Sequence, residues 1–300
     1  MSSDEQPFTG WGCLQTLLHW MAPTGFLILL LLGVALTIAM PDLAAASMEG
    51  VTAMFMGVFT AVQLMLMLGG ACFGVLFLRA TGEQGSFFAP SAILPRVRQG
   101  LALGGARAPW FLAAGLGCMT VGLLPGWVAE QLLALEISQT YRLGDSLQLV
   151  GRMLSDTSDP GWWAMAFAVV IMAPLGEEML FRGYLWRAAE KSLPMPVVFV
   201  VTSLFFAVYH SSPVHVVAVL PIGLYLGWLR WMSGSIWPSM LGHFVNNALA
   251  TALAVTADPE ASGPGLVLCL LGSVFTVGVG ALTWWWCRTH PASYEELLEE

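Results

Sequence analysis

Two adjacent carboxylates and an arginine lie in a stretch that is otherwise apolar enough to cross a membrane. Glu177 and Glu178 continue the apolar run that starts at Trp162, and Arg182 follows four residues after Glu178. A charged side chain at the centre of a bilayer costs about 2.5–3.5 kcal/mol or more, so such groups are retained mainly where function needs them. The acidic pair is therefore the first candidate for a functional site.

The composition predicts a polytopic membrane protein. Of the 300 residues, 57% are hydrophobic and only 10% are charged, whereas soluble domains carry about 25% charged residues. A net charge of −8 gives no reason to expect nucleic acid as a partner. The five cysteines are scattered without a Cys-x-x-Cys pair, so neither a disulfide framework nor a zinc knuckle is predicted.

About eight apolar runs predict spanning helices, because one span needs roughly 20 apolar residues. The fold class predicted is an all-α polytopic helical bundle. Pro125, followed by Gly126, is expected to kink the third run, and Pro174 is a possible kink in the fourth. The runs are Met21–Met40, Val51–Leu78, Pro109–Leu135, a run from Trp162 into the acidic pair, Pro196–His210, Val214–Trp231, Ser235–Val255 and Pro264–Trp286.

The basic residues predict which ends of these helices face the cytoplasm. With eight spans, nine arginines and lysines fall on the side of both termini and only Arg142 and Arg152 fall on the other side. The positive-inside rule then places both termini in the cytoplasm, in a multi-pass protein of the bacterial inner membrane. The acidic N-terminus lacks the positive region of a cleavable signal peptide, so the first apolar run is expected to remain as a helix.

Polar residues inside the predicted helices are concentrated in the second half of the chain. We therefore divide the chain into N-terminal scaffold helices (1–160), a catalytic core (161–256), and a last transmembrane helix with an acidic tail (257–300).

Helical spacing separates the roles of the two glutamates. Residues four apart share a helix face, and adjacent residues diverge by about 100°. Glu178 and Arg182 are four apart in the favourable acid-first order, which predicts a structural ion pair. The chemical role then falls to Glu177, since a carboxylate in low-dielectric surroundings suits a general base near neutral pH.

A second pair of polar residues shares a face of the seventh predicted helix. His243 and Asn247 are four apart and present two donors towards one point, as stabilisation of an oxyanion requires. Asn246 is rotated off that face and is expected to pack or cap, and His210 ends the fifth run. Each feature alone has a structural explanation, such as interhelical hydrogen bonding by an asparagine. Their concentration on three helices favours a site.

Three motifs in this region resemble those of the CPBP family, the CAAX-protease and bacteriocin-processing membrane proteins, also called the Abi family. They are Glu-Glu-x-x-x-Arg at 177–182, Phe-x-x-x-His at 206–210 and His-x-x-x-Asn at 243–247. The resemblance covers about 95 residues, near Trp162 to Val255. It implies an intramembrane endopeptidase in which Glu177 is the base, and His210 orients or shares the water. His243 and Asn247 would form the oxyanion site, and Glu178 would be an auxiliary carboxylate.

A zinc-dependent version of the same protease is the nearest alternative. Glu177, His210 and His243 would be its ligands. A metal-free mechanism without a cofactor is favoured, because Glu177 and Glu178 diverge on one helix and asparagine is a poor zinc ligand. The substrate expected is a membrane-embedded or lipid-anchored protein or peptide in contact with the lipid bilayer. The motifs do not specify whether it is prenylated.

Two other classes of function stay open at this stage. A non-catalytic scaffold or immunity protein would keep the fold without the chemistry. A proton-coupled transporter also uses buried glutamate and histidine, but would usually show more helices and an internal repeat. The site itself requires that helices tilt, or that the fourth helix continues past Arg182 towards Lys191, because otherwise His210 and His243 lie at different depths.

Overall fold

A computed structural model describes residues 101–140, 154–158, 162–190, 193–210, 212–256 and 264–291. Within these residues the fold is entirely helical, as predicted. The first two predicted spans lie outside this part of the chain, and the count of eight spans and the orientation of the termini stay predictions. The helices are α1 (Ala108–Cys118), α2 (Leu123–Leu133), α3 (Glu136–Thr140), α4 (residues 162–189), α5 (Met195–Val208), α6 (Pro213–Ser233), α7 (Trp237–Thr256) and α8 (Leu266–Thr289).

Four of the described segments are long and apolar enough to cross a membrane: Ala108–Leu133, Trp162–Leu185, Pro213–Ser233 and Leu266–Thr289. Their outward faces carry large apolar side chains. On α8, Val267 and Val274 are 73% and 70% exposed, and Trp163 at the start of α4 is 78% exposed. A water-facing surface does not carry contiguous apolar patches of this extent without a partner. Together with the length of the helices, this surface indicates an integral membrane protein.

The span Ala108–Leu133 is broken between α1 and α2, at residues 119–122. The interruption comes just before the expected kink, because Pro125 lies in the first turn of α2, where its missing N–H is tolerated. The side chain of Thr276 on α8 makes hydrogen bonds at this break, next to the C-terminal end of α1. Its hydroxyl lies 2.8 Å from the Thr120 hydroxyl and 3.2 Å from the Gly117 carbonyl. The Gly117 carbonyl also accepts from the N–H groups of Thr120 and Val121, so the Thr276 hydroxyl adds a contact between α8 and the end of α1.

Helix α4 continues without interruption past Arg182 and ends at Ala189, so Glu177 lies well inside it. Two wider π-helical stretches, Ala168–Met172 and Met179–Leu185, separate its α-helical parts. The first stretch ends two residues before Pro174, and a wider turn there relieves the clash of the proline ring with the preceding turn. Because α4 continues past Arg182, Glu177 lies in the interior of the helix and not at its end, as the predicted site requires.

Close packing brings α5 and α7 against α4, and α6 against α5. A Cβ atom on Gly223 would lie 2.8 Å from the Phe206 ring, and one on Gly227 would lie 2.9 Å from the Ser203 hydroxyl. These two glycines therefore allow close helix packing, and they have the four-residue spacing typical of that role. Helix α7 packs against α1, α4 and α6, which places His243 beside the acidic pair.

Candidate active site

Glu178 lies at the centre of a fully buried polar network. Arg182 donates from Nη1 to Glu178 Oε1 over 3.1 Å and from Nη2 to the Gly223 carbonyl over 2.8 Å. His243 Nδ1 lies 3.1 Å from the same oxygen, Oε1 of Glu178. Both side chains of the ion pair have no exposed surface. The ion pair predicted from the spacing is present, and it also anchors a histidine from another helix.

Glu177 approaches the same histidine from the opposite side. Its Oε2 atom lies 3.9 Å from His243 Nε2, and the residue is only 4% exposed. Because a carboxylate accepts hydrogen bonds, the proton on Nδ1 of His243 points to Glu178, and Nε2 points towards Glu177. His243 therefore links the two diverging carboxylates of α4.

His210 lies two residues beyond the last residue of α5. Its Nδ1 atom is 2.9 Å from the Phe206 carbonyl oxygen. A carbonyl oxygen can only accept, so Nδ1 carries the proton and Nε2 of the neutral ring is an acceptor. The Phe206 ring packs against three side chains of the site. Its centroid lies 5.3 Å from the ring centroid of His210, 5.4 Å from that of His243 and 4.2 Å from Arg182 Cζ.

Asn247 reaches across to α4. Its Nδ2 atom donates to the Val169 carbonyl over 2.9 Å. In the wide turn, the Ala173 N–H bonds to the Ala168 carbonyl five residues earlier. The matching partner of Val169 would be the nitrogen of Pro174, which has no hydrogen. The asparagine side chain supplies that missing donor, and one amide hydrogen remains for another acceptor.

A cavity of about 690 Å³ brings most of the predicted residues together. Glu177, His210, His243 and Asn247 line it, whereas Glu178 lies behind its wall. Along α4, the wall residues Met165, Val169, Ala173 and Glu177 recur every four positions. Residues of all three predicted motifs, on or next to α4, α5 and α7, thus face one space.

Three further polar residues of this wall were not considered in the sequence analysis: Tyr209, His215 and Thr251. A fourth, Asn246, was expected to pack or cap. Asn246 donates to Asn247 Oδ1 over 3.2 Å, although its position on α7 predicted a different face. The sequence contained one indication for His215: this histidine lies in the first turn of an apolar helix, five residues after His210.

The ligands of the zinc-dependent alternative, Glu177, His210 and His243, all line the cavity. In the described parts of the chain, no three His, Cys, Asp or Glu side chains are placed to hold a metal ion. His243 contacts Glu178 through Nδ1, and His210 contacts a backbone carbonyl through Nδ1. These contacts leave Nε2 of both rings facing other groups, and metal dependence stays a question for experiment.

The fold and the cavity define an integral membrane helical protein with two carboxylates and two histidines at the wall and back of a buried space. Residues 159–249, under a third of the chain, match the family described as Rce1-like, type II CAAX prenyl endopeptidase Rce1-like. The match contains all three motifs, confirms the resemblance to the CPBP family over this segment and supports a membrane protease of the CAAX type. Neither the curated proteins nor the solved structures give a significant match to the chain.

Proposed function

We propose that this protein is an intramembrane endopeptidase that hydrolyses a peptide bond of a membrane-associated protein or peptide. One observation carries the proposal: Glu177 lines a buried cavity and faces His243, which the Glu178–Arg182 pair holds from behind. A general base needs this combination of access to a reacting group and fixed orientation. The family match to residues 159–249 supports the same class of reaction.

The proposed reaction begins with a water molecule between Glu177 and the substrate carbonyl. Glu177 takes a proton from the water as its oxygen bonds to the carbonyl carbon, and the carbonyl oxygen becomes an oxyanion. His210 accepts a hydrogen bond from the water at Nε2 and orients it. When the C–N bond breaks, Glu177 returns the proton to the amine nitrogen.

Two donors are proposed for the oxyanion. His243 would donate from Nε2, which requires a proton on that atom in addition to the one shared with Glu178. Asn247 would donate the amide hydrogen that does not contact Val169. Fixed donors in a water-poor site stabilise a developing negative charge strongly, and loss of one such donor typically lowers kcat by about 10²–10³.

The cavity also favours a mainly apolar substrate segment. From Glu177 to Met165 the wall of α4 extends about 18 Å, at about 1.5 Å per residue. An extended peptide rises about 3.3 Å per residue, so this length holds about five residues. Leu249, Leu253 and Ala254 of α7 line the same cavity beside this stretch of α4. These dimensions fit an unwound segment that enters from the bilayer.

The decisive comparison is Glu177→Gln against wild type, both reconstituted in lipid nanodiscs with a set of membrane-derived peptides. In ¹⁸O-labelled water, hydrolysis places ¹⁸O in each new carboxyl terminus, which mass spectrometry detects. We expect the rate of peptide hydrolysis by the Gln variant to be lower by a factor of about 10²–10⁴. The matched control is Glu190→Gln, which removes a carboxylate paired with Arg187 near the end of the same helix.

Cleavage by wild type and by the control, with loss in Glu177→Gln, would support the proposal. Equal labelled products from wild type and Glu177→Gln would exclude Glu177 as the base. If no variant, wild type included, yields labelled products from any substrate offered, the endopeptidase proposal fails. A proton flux that depends on Glu177 would then favour the transporter alternative.

A further inference from the structure

His215 occupies a position against His210 that the proposed reaction leaves unexplained. The two ring centroids are 4.7 Å apart with the planes at 66°, and both residues line the cavity. His215 lies in the first turn of α6, after Ser212 and Pro213, whereas His210 lies in the turn that follows α5. Two different helices therefore bring these imidazoles together.

The ring of His210 needs such a support because its own backbone is not helical. One hydrogen bond, from Nδ1 to the Phe206 carbonyl, fixes one atom of the ring but leaves rotation about that bond. The Phe206 ring contacts it from α5, and the His215 ring contacts it from α6. Contacts from two helices restrict that rotation and hold Nε2 of His210 in one place.

We propose that His215 is a positioning residue that holds the His210 ring by edge-to-face aromatic contact, so that Nε2 of His210 stays directed at the water. The aromatic ring of His215, and not its nitrogen atoms, does this work. The kinetic consequence rests on the proposed endopeptidase function, whereas the contact itself does not. A displacement of about 1 Å at a reacting group can cost about 10²-fold in rate, so loss of this support should lower kcat.

Three substitutions separate ring contact from the other properties of the side chain. His215→Phe keeps an aromatic edge and removes the nitrogens, His215→Leu keeps volume without a ring, and His215→Ala removes both. We expect Leu and Ala to lower kcat about tenfold or more with little change in KM, and Phe to restore most of it. His290→Ala is the control, because His290 is exposed at the far end of α8.

A second measurement does not depend on activity. The chain has only five histidines, so ¹⁵N-labelled imidazole signals can be assigned by single substitution and read by NMR in nanodiscs. We expect the His210 ring to be rigid in wild type and in His215→Phe and to show increased ring motion by ¹⁵N relaxation in His215→Leu and His215→Ala, with Nδ1 protonated in all four proteins because its bond to the Phe206 carbonyl is kept. Thermal unfolding of each variant verifies that it is folded before either measurement is interpreted.

The proposal is supported if His215→Leu and His215→Ala change both kcat and the NMR signal of the His210 ring, and His215→Phe keeps both near their wild-type values. If Phe is as defective as Ala, the nitrogens of His215 act directly and the proposal is wrong. It is also wrong if all variants keep wild-type kcat and unchanged motion of the His210 ring. If wild type cleaves nothing, the endopeptidase proposal fails, and the NMR result still decides whether His215 holds the His210 ring.

Discussion

Replacing Arg182 by methionine tests whether the buried ion pair supports the whole site. Arg182 and Glu178 have no exposed side-chain surface and are joined over 3.1 Å. The substitution leaves the Glu178 carboxylate buried without its cation, and His243 Nδ1 still contacts Oε1 of this carboxylate. Removing one partner of a buried pair costs about 3–5 kcal/mol. At about 2–4 °C per kcal/mol, the midpoint of thermal unfolding should fall by about 6–20 °C.

The assay is thermal unfolding in one detergent, with each variant at the same concentration. Arg182→Lys is the conservative control, because it keeps the charge but loses the planar geometry that reaches both Glu178 and the Gly223 carbonyl. The double variant Glu178→Gln with Arg182→Met removes the unpaired charge and should be more stable than Arg182→Met alone. If the double variant is no more stable, or if Arg182→Met unfolds within about 2 °C of wild type, the reasoning from buried charge is wrong.

Three further predictions follow from individual contacts. Gly223→Ala should destabilise the protein by about 1–3 kcal/mol through overpacking against Phe206, whereas Gly278→Ala, with open space around it, should not; thermal unfolding compares them. Thr276→Val should cost about 1 kcal/mol, because the bond to the Gly117 carbonyl is lost, and an unchanged unfolding midpoint would contradict the role given to that hydroxyl. Cleavage should persist after dialysis against EDTA, since in the proposed reaction Glu177 activates the water without a metal ion; loss of cleavage that added zinc restores would favour the metal-dependent alternative.

Contacts within one helix could be predicted from the sequence, because they depend only on spacing. The four-residue spacing of Glu178 and Arg182 predicted their ion pair. The spacing of Gly223 and Gly227 indicates close packing in the same way. The contact between His243 and Glu178 could not be predicted. The two residues are 65 positions apart in the sequence, and the relative register of their helices, α7 and α4, depends on packing. The general location of the site followed from the rarity of polar residues in apolar runs.

The same limit explains the residues that were missed. Asn246 was assigned to another face of α7 by its rotation from Asn247, yet both line the cavity. A cavity enclosed by several helices takes in more than one face of each of them. His215 was overlooked because it lies at the start of an apolar run and belongs to none of the three motifs. Only the fold shows that the start of α6 lies against the end of α5.

The contact of Asn247 with the Val169 carbonyl gives this residue a structural role in addition to the proposed catalytic one. Asn247→Ala would remove the bond and leave a carbonyl inside the protein without its donor, at a cost of about 1–3 kcal/mol. The need for that donor comes from Pro174. With Pro174→Ala, the turn can supply an N–H from the chain itself, either from residue 174 in a wide turn or from Ala173 in a regular α-helix.

The two roles can therefore be separated by measuring Asn247→Ala in both backgrounds. In the Pro174→Ala background, the loss of unfolding free energy caused by Asn247→Ala should shrink, because the Val169 carbonyl no longer depends on the side chain. The loss of kcat should stay near 10²–10³ in both backgrounds if the second amide hydrogen of Asn247 binds the oxyanion. If Pro174→Ala restores kcat as well as stability, Asn247 acts only by holding α4, and the oxyanion must be stabilised without it.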